Sequence, residues 1–277
     1  METASATDLI ARLAGTGGDA PPTVAVIVAH PDDETIGVGG HLPRLRSAWF
    51  VYVTDGAPRN MRDATAAGFS RREDYAAARR RELGSALALA GVDPDRIRSF
   101  GVVDQEASSR LVELARATAA VLREILPAMV LTHPYEGGHP DHDATAFAVH
   151  AACELLRREA IAPPAIVEMA SYHCGPQGIR TGEFLPGEAD GVVTIELAPD
   201  GRDLKRRLFD AFRSQRDTLR CFAIGVERFR PAPRYAFTRP PHEGPLFYEN
   251  FDWGMTGVRW RELAREALDR LELREPL

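Results

Sequence analysis

Val24 to Gly40 reads V-A-V-I-V-A-H-P-D-D-E-T-I-G-V-G-G, and this stretch decides the fold. Together with Thr23 before it, its first part forms a continuous run, Thr23 to Ala29, that is rich in apolar and β-branched residues and typical of a fully buried strand. A strand buried on both faces requires a covered sheet. His30 and the acidic residues 32–34 then form a polar turn, and the small residues after it favour the start of a helix. Open α/β sheets place their ligands at such strand-to-helix turns.

The acidic turn brings three carboxylates next to His30, just beyond the end of a buried strand. These groups repel one another and resist desolvation unless a cation offsets them. His30 and Asp33 are three residues apart, so both can face one point while Asp32 stays free beside it. A neutral imidazole and a carboxylate are normal zinc ligands. The alternative is a helix cap, in which the carboxylates accept hydrogen bonds from free backbone N–H groups.

A second stretch favours the metal over the cap. His133 to Ala146 reads H-P-Y-E-G-G-H-P-D-H-D-A-T-A and follows another apolar run, Ala128 to Thr132. It supplies His139 and His142, three residues apart, at the start of another predicted helix. Histidine and aspartate clusters thus follow two buried strands. The pair predicts one shared metal site at the carboxyl edge of the sheet.

The two motifs, A-H-P-D-D-E at 29–34 and H-P-D-H at 139–142, resemble the LmbE-like or PIG-L-like family of zinc-dependent N-acetylglucosamine deacetylases. The resemblance extends to V-T-D-G-A at 53–57, to Arg79-x-x-Glu82 and to Asp104, and covers most of 23–149. It implies a three-layer α/β/α, Rossmann-like fold with a mostly parallel sheet. It also implies removal of an N-acetyl group from an N-acetylglucosamine-containing small molecule or glycoconjugate.

The resemblance further implies a role for each motif residue. The metal ligands are His30, Asp33 and His142, with Zn²⁺ as the expected ion and another divalent ion such as Fe²⁺ as the alternative. Asp32 is the expected general base. His139 is expected to stabilise the oxyanion or to act as an acid. Spacing alone leaves open which of the two aspartates binds the metal.

Four more side chains are expected near the site. Arg79 is predicted to reach a substrate hydroxyl or to brace the loop, and Asp104 to accept hydrogen bonds from sugar hydroxyls or to cap the helix at about 107–125. Asp141 is expected to hold an imidazole in its tautomer. Tyr135 lies four positions before His139, whereas some relatives place a tyrosine closer to this motif to help the oxyanion, so its approach to the site is an open question.

The order of apolar and polar segments predicts the architecture. Strands are expected at 49–55, 96–101, 165–172 and 192–197 in addition to the two above, and helices at about 3–14, 35–46, 71–91, 107–125, 141–158, 202–219 and 260–273. This alternation predicts a mostly parallel sheet covered by helices on both faces. Loops are expected at 56–70, where the loop can cover the site, and at 175–191.

Two further features of the chain leave alternatives open. His173 follows the strand predicted at 165–172, where a role beside the ligands or the substrate is expected. The segment 229–253 is rich in proline and aromatic residues. It either lines the mouth of the pocket or packs over the edge of the sheet.

Composition limits the class of protein. The 277 residues, 44% of them hydrophobic, suit one α/β domain over 1–277, with an N-terminal helix and linker at 1–22 and a more variable part at 175–277. A net charge of −6 argues against nucleic acid as a partner. No apolar run approaches a membrane span and no signal peptide is evident, so a cytoplasmic protein is expected, with a homo-oligomer possible. The three scattered cysteines suggest no disulfide framework.

Three other functions compete with the deacetylase. A related metal-dependent amidase would cleave a non-acetyl amide at the same site. A non-haem iron enzyme would use the same two histidines and one carboxylate, although no site for an organic cosubstrate is evident. A non-catalytic α/β binding module would use the acidic turn as a cap. The G-V-G-G run at 37–40 lacks the spacing of a dinucleotide site.

Overall fold

The computed structural model describes residues 5–15, 23–186 and 191–277. The strands in these ranges are β1 (Val24–Val28), β2 (Trp49–Thr54), β3 (Ile97–Val102), β4 (Met129–Thr132), β5 (Ala165–Met169), β6 (Tyr172–Gly175), β7 (Gly178–Thr181), β8 (Val193–Glu196) and β9 (Val226–Pro231). The α-helices are α1 (Ala6–Leu13), α2 (Asp33–Val38), α3 (Arg62–Ala66), α4 (Arg72–Leu89), α5 (Leu111–Ile125), α6 (Pro140–Arg158), α7 (Pro199–Ala211), α8 (Arg216–Leu219) and α9 (Gly257–Leu271). Short 3-10 helices lie at Gly39–Leu45, Pro94–Arg96, Ala107–Arg110, Arg213–Gln215 and Phe247–Asn250.

Seven strands form one sheet in the order β3-β2-β1-β4-β5-β9-β8. The five strands from β3 to β5 are parallel, and β9 and β8 add an antiparallel edge. The chain runs outward from β1 through β2 to β3, then returns to the other side of β1 to form β4 and β5. The order of connection therefore reverses between β1 and β4, where such sheets bind ligands beyond the carboxyl ends of the strands.

Helices cover both faces of this sheet, as predicted. Along β1, Val26 packs into a core cluster that includes residues of α4 and α7, while Ala25 and Ile27 pack into a cluster with residues of α5 and α6. All three side chains are fully buried, and each large one contributes about 1.5–3 kcal/mol to folding. The mostly parallel three-layer α/β/α prediction is confirmed. None of the helices in the described ranges is long and apolar enough to cross a membrane.

Two predicted helices are shorter than expected. The helix predicted at 35–46 is α2 followed by a 3-10 helix, because Pro43 cannot donate the backbone bond that would continue an α-helix. The helix predicted at 202–219 ends at Ala211 and resumes only as α8. There, the backbone N–H of Ser214 donates to the Glu82 carboxylate (2.9 Å), so a tertiary bond replaces a helical one.

The loop predicted at 175–191 is partly a hairpin. β6 and β7 pair antiparallel from Tyr172–Thr181 to Gly175–Gly178, so the prediction of an irregular loop is wrong for this part. Gly178 has a φ of 107°, a conformation that favours glycine and closes the turn. Residues 187–190 of the predicted loop lie outside the described residues, as do 16–22 of the predicted linker.

The buried His150 of α6 gives the fold a testable pH dependence. Burial lowers its pKa to about 4, so between pH 6.5 and 4 the unfolded chain binds a proton there that the folded protein does not. The free energy of unfolding therefore falls by about 3 kcal/mol from this group as the pH drops through that window. We expect His150→Phe to reduce the fall, measured by urea unfolding at several pH values; equal slopes for both proteins would contradict the assignment.

Candidate metal centre

Adjacent strands β1 and β4 deliver the two motifs to one place. His30 follows β1, and Asp33 is the first residue of α2. On the other side, His139 is the N-cap of α6 and His142 lies in its first turn. All four side chains are at least nine-tenths buried. The parallel arrangement of β1 and β4 thus directs both helix starts toward the same point.

Donor atoms of three residues converge at this point, His30 and His142 each facing a different oxygen of Asp33, and we call this group the triangle. His30 Nδ1 lies 3.3 Å from His142 Nε2 and 3.3 Å from Asp33 Oδ2. His142 Nε2 lies 3.2 Å from Asp33 Oδ1. Two imidazoles and one carboxylate within these distances form a candidate metal site, as the sequence predicts.

The opposite nitrogen of His30 faces carboxylates. Its Nε2 lies 3.1 Å from Asp104 Oδ1 and 3.4 Å from Asp141 Oδ2. An N–H on Nε2 that donates to these oxygens leaves Nδ1 free to bind a cation. Burial raises the pKa of Asp104, but the neighbouring His30 outweighs it and holds that pKa below its usual value. Asp104 also lines the pocket, so its predicted contact with substrate stays a prediction.

The ring of His142 is held in its neutral form. Burial lowers its pKa to about 3, and neutral imidazole is the form that binds metals. His133, which follows β4, stacks on this ring at 3.9 Å between centroids and lies 3.2 Å from Asp33 Oδ2. The sequence analysis did not assign His133 a role, although its position just after a buried strand matches that of His30.

Asp32 lies beside the triangle in a strained conformation. Its φ of 137° is unusual for a residue other than glycine and costs on the order of 1–3 kcal/mol. The carboxylate is 5% exposed and lines the pocket. Burial raises the pKa of Asp32 to about 8 against the opposing charge of Arg79. Strain and a raised pKa together are typical of a functional carboxylate.

Arg79 braces the turn that carries Asp32. Its Nη2 donates to Asp32 Oδ2 (3.0 Å) and to the Pro31 carbonyl (2.7 Å), and its Nη1 donates to the Gly56 carbonyl (2.8 Å). Gly56 has a φ of 64°, and a Cβ there would lie 2.9 Å from the guanidinium carbon. Because both terminal nitrogens are engaged, the structure favours the brace over the substrate contact predicted for Arg79.

The orientation of His139 is also defined. Its Nδ1 accepts a hydrogen bond from the Asp141 backbone N–H (3.1 Å), so the neutral ring carries its hydrogen on Nε2. Burial lowers the pKa of His139. The side chain lines the pocket and directs its neutral Nε2–H donor into it. Gly138 is required just before it, since a Cβ there would collide with the Tyr172 carbonyl.

Tyr135 does not take part in this site. Its hydroxyl donates to the Arg239 carbonyl (2.9 Å), and its ring contacts Phe237 and Trp260. The expectation that Tyr135 supports the site is therefore corrected: four residues of separation place it in the core beneath α9. His173 is buried, and its Nδ1 lies 2.9 Å from the Cys174 carbonyl. Among the described residues it belongs neither to the triangle nor to a second set of possible metal ligands, His30, Asp104, His139 and Asp141.

A pocket of about 310 Å³ opens above the triangle. Its outer wall includes Phe247, Phe251 and Trp253. The end of the segment 229–253 thus lines the pocket, as one interpretation predicts, whereas its start belongs to β9 within the sheet and does not pack over the sheet edge. The sequence offered its aromatic content as the signal but no means of locating these three residues.

Fold and site together define a class of protein: a three-layer α/β protein with a candidate metal site at the topological switch point of a mostly parallel sheet. The profile described as "PIG-L: GlcNAc-PI de-N-acetylase" matches residues 25–153. A Bacillus subtilis (strain 168) protein, "Probable N-acetyl-alpha-D-glucosaminyl L-malate deacetylase 2", is 31% identical over 203 residues, covering 71% of this chain and 84% of that protein. The chain belongs to the PIG-L family.

Other similar proteins carry related names. A Mycobacterium sp. (strain KMS) protein named "1D-myo-inositol 2-acetamido-2-deoxy-alpha-D-glucopyranoside deacetylase" is 31% identical over 181 residues, 53% of this chain and 56% of that protein. A deacetylase of the teicoplanin biosynthesis pathway shares the fold, with a TM-score of 0.59 at 19% identity over 77% of this chain and 99% of that chain. The N,N'-diacetylchitobiose deacetylase of Pyrococcus horikoshii has a TM-score of 0.51 at 21% identity, over 76% and 84% of the two chains.

The contact between Asp104 and His30 predicts a change in metal affinity. Asp104→Asn removes a charged acceptor from the His30 Nε2–H, so we expect the affinity for a divalent ion to fall about 10–100-fold. Competition with a chelator of known affinity measures it. The matched control is Asp203→Asn, since Asp203 pairs with Arg206 on the exposed face of α7. Equal affinities in wild type and Asp104→Asn would contradict the role of Asp104.

Proposed function

We propose that the protein is a zinc-dependent deacetylase that hydrolyses the acetamido group of an N-acetylglucosamine-containing small molecule or glycoconjugate. The observation that carries the proposal is the triangle of His30 Nδ1, Asp33 and His142 Nε2, with the strained Asp32 beside it. The family and the names of the relatives support the same reaction.

The donor set fits a zinc ion. Metal–nitrogen bonds of about 2.0–2.1 Å place two ligands of a tetrahedral zinc roughly 3.3–3.4 Å apart. The contacts between the three residues of the triangle measure 3.2–3.3 Å, with His30 facing Oδ2 and His142 facing Oδ1 of Asp33. Three protein ligands also leave a fourth position open, as in catalytic zinc sites. A zinc ion held by these residues would act as a Lewis acid and would lower the pKa of a bound water to about 7.

Asp32 is the proposed general base. Arg79 holds Oδ2 of Asp32, which leaves Oδ1 to accept the proton of the attacking water. Burial of this carboxylate among others raises the pKa of Asp32 to about 8. A divalent ion held beside it would favour the ionised form of Asp32, which accepts a proton. Asp32 then returns that proton to the leaving amine nitrogen.

His139 is the proposed oxyanion donor. Because its Nδ1 is occupied by the Asp141 N–H, its Nε2–H is available in the pocket for the acetyl oxygen. A preorganised donor of this kind stabilises the charge that develops on that oxygen during attack. The lowered pKa of His139 favours a neutral donor over the protonated acid that the family pattern also allows.

The first experiment is acetate release from a panel of N-acetylglucosamine conjugates, with wild type and Asp32→Asn of known metal content. Asn keeps the shape of Asp32 but cannot accept the proton, so we expect kcat to fall about 10²–10⁴-fold while the metal is retained. A metal-loaded protein that releases no acetate would contradict the deacetylase proposal. Hydrolysis of longer acyl amides alone would favour the related amidase. Activity restored by Fe²⁺ but not Zn²⁺ would favour iron.

The brace made by Arg79 predicts a split between kcat and KM. Arg79→Lys keeps the charge but cannot span Asp32, Pro31 and Gly56 at once. We expect kcat to fall at least about tenfold with KM nearly unchanged, since a misplaced base slows proton transfer. Steady-state kinetics on folded, metal-loaded protein measures both constants. A rise in KM at constant kcat would instead indicate that Arg79 contacts the substrate.

A further inference from the structure

The pocket above the triangle has two unlike halves. Its floor is polar and holds the metal ligands together with Asp32, Asp104 and His139. One side of its wall is apolar and includes Tyr172, Phe247, Phe251 and Trp253, which we call the aromatic arc, whereas the rest of the wall includes polar residues such as Gln105, Gln215 and Thr218. Both halves are needed to enclose a substrate, and the floor already accounts for the acetamido group. The arc remains for the part of the substrate attached to the sugar.

The aromatic arc is continuous and begins and ends at the floor. Successive ring centroids lie 5.1 Å (His142–Tyr172), 5.7 Å (Tyr172–Phe247), 5.2 Å (Phe247–Phe251), 4.5 Å (Phe251–Trp253) and 4.7 Å (Trp253–His139) apart. Phe251 and Trp253 are stacked within 11° of parallel, and both are only half-buried. Ile179 of the β6–β7 hairpin, 42% exposed, extends the apolar surface outward.

The charges around the pocket disfavour an anionic group at this place. Among the residues that line it, Arg79 is the one arginine or lysine, and its guanidinium is 4% exposed and paired with Asp32. The lining carboxylates outnumber it: Asp32, Asp33, Asp63, Asp104 and Asp217. Even with the two positive charges of the proposed ion, the five carboxylates and one guanidinium leave the lining net negative. A carboxylate or phosphate next to the sugar would meet this excess negative charge without a free side-chain cation to pair with.

We propose that the group attached to the N-acetylglucosamine of the substrate is neutral and apolar, aryl or alkyl, and that it packs against the aromatic arc. This inference rests on the proposed deacetylase function and selects among its substrates. Flat, half-buried rings bind such a group through buried apolar area and stacking. The pocket therefore discriminates against conjugates whose second part is polar or charged.

The test compares glycosides that share one sugar. Metal-loaded wild type is assayed for acetate release from phenyl and octyl N-acetylglucosaminides in both anomers, from the malate and inositol conjugates, and from free N-acetylglucosamine. We expect kcat/KM for the better apolar glycoside to exceed that of the free sugar and of the malate conjugate at least about tenfold. The preference between phenyl and octyl then identifies the group as aryl or alkyl.

Variants at Trp253 test whether the aromatic arc causes the preference for the apolar glycoside. Trp253→Ala is expected to lower the ratio of kcat/KM for the phenyl glycoside over free N-acetylglucosamine about tenfold, mainly through KM, and Trp253→Phe to retain most of it. Using the ratio cancels any effect on His139. The matched control is Trp49→Ala, because Trp49 is the first residue of β2, at the amino ends of the parallel strands, and does not line the pocket. The ratio measured for this variant should equal that of wild type.

Failure of this inference and failure of the proposed function give different results. If acetate is released from the malate conjugate at an equal or higher rate, or if the ratio is unchanged in Trp253→Ala, the inference about the aromatic arc is wrong. The proposed deacetylase function would still stand. Equilibrium binding of phenyl N-acetylglucosaminide, measured by calorimetry against free N-acetylglucosamine, tests the arc without turnover. Tighter binding of the phenyl glycoside that is lost in Trp253→Ala would support it even in a protein that releases no acetate.

Discussion

Five carboxylates are buried where the turn after β1 meets the segments around it: Asp32, Asp33, Glu34, Asp104 and Asp141. Their mutual repulsion and their loss of hydration must be offset by positive charge. Arg79 supplies one part, through its ion pair with Asp32. The proposed divalent ion supplies the rest at the point where three donor atoms converge. Glu34 illustrates the cost, because burial raises its pKa to about 7 even though it accepts a hydrogen bond from Thr35.

The turn also depends on support from behind. Lys205, the single lysine of the chain, is fully buried and donates from Nζ to the Ile36 carbonyl (2.7 Å) and to Glu227 (2.8 Å). The Glu227 carboxylate also accepts from the Gly40 N–H (2.7 Å) and lies 2.6 Å from His41 Nδ1. These bonds connect α2 and the turn after it to α7 and β9. The start of α2, where Asp33 lies, is thereby held by β1 before it and by the bonds to α7 and β9 after it.

Sequence reasoning located the chemistry better than it located the surroundings. His30, Asp33 and His142 were predictable because short motifs after buried strands leave few directions for their side chains. The bracing role of Arg79 was predicted only as one of two alternatives. It depends on the Gly56 carbonyl, which belongs to a different segment of the chain. Whether Tyr135 reaches the site could not be decided from the sequence, because the three residues before His139, including Gly137 with a φ of 70°, redirect the chain. Tertiary contacts decide such cases, and no local pattern records them.

The division between floor and wall also follows the division of the chain. The family profile matches residues 25–153, which contain every proposed metal ligand together with Asp32 and His139. The aromatic arc lies beyond that match, in the hairpin that begins with β6 and in the segment from Phe247 to Trp253. A fixed sheet edge thus holds the reacting groups, while segments added after β5 form the surface that meets the remainder of the substrate. Substrate choice can therefore change through residues of the later segments that do not touch the triangle, such as Phe251, whereas Tyr172 contacts the ring of His142 and any change there also alters the surroundings of a proposed ligand.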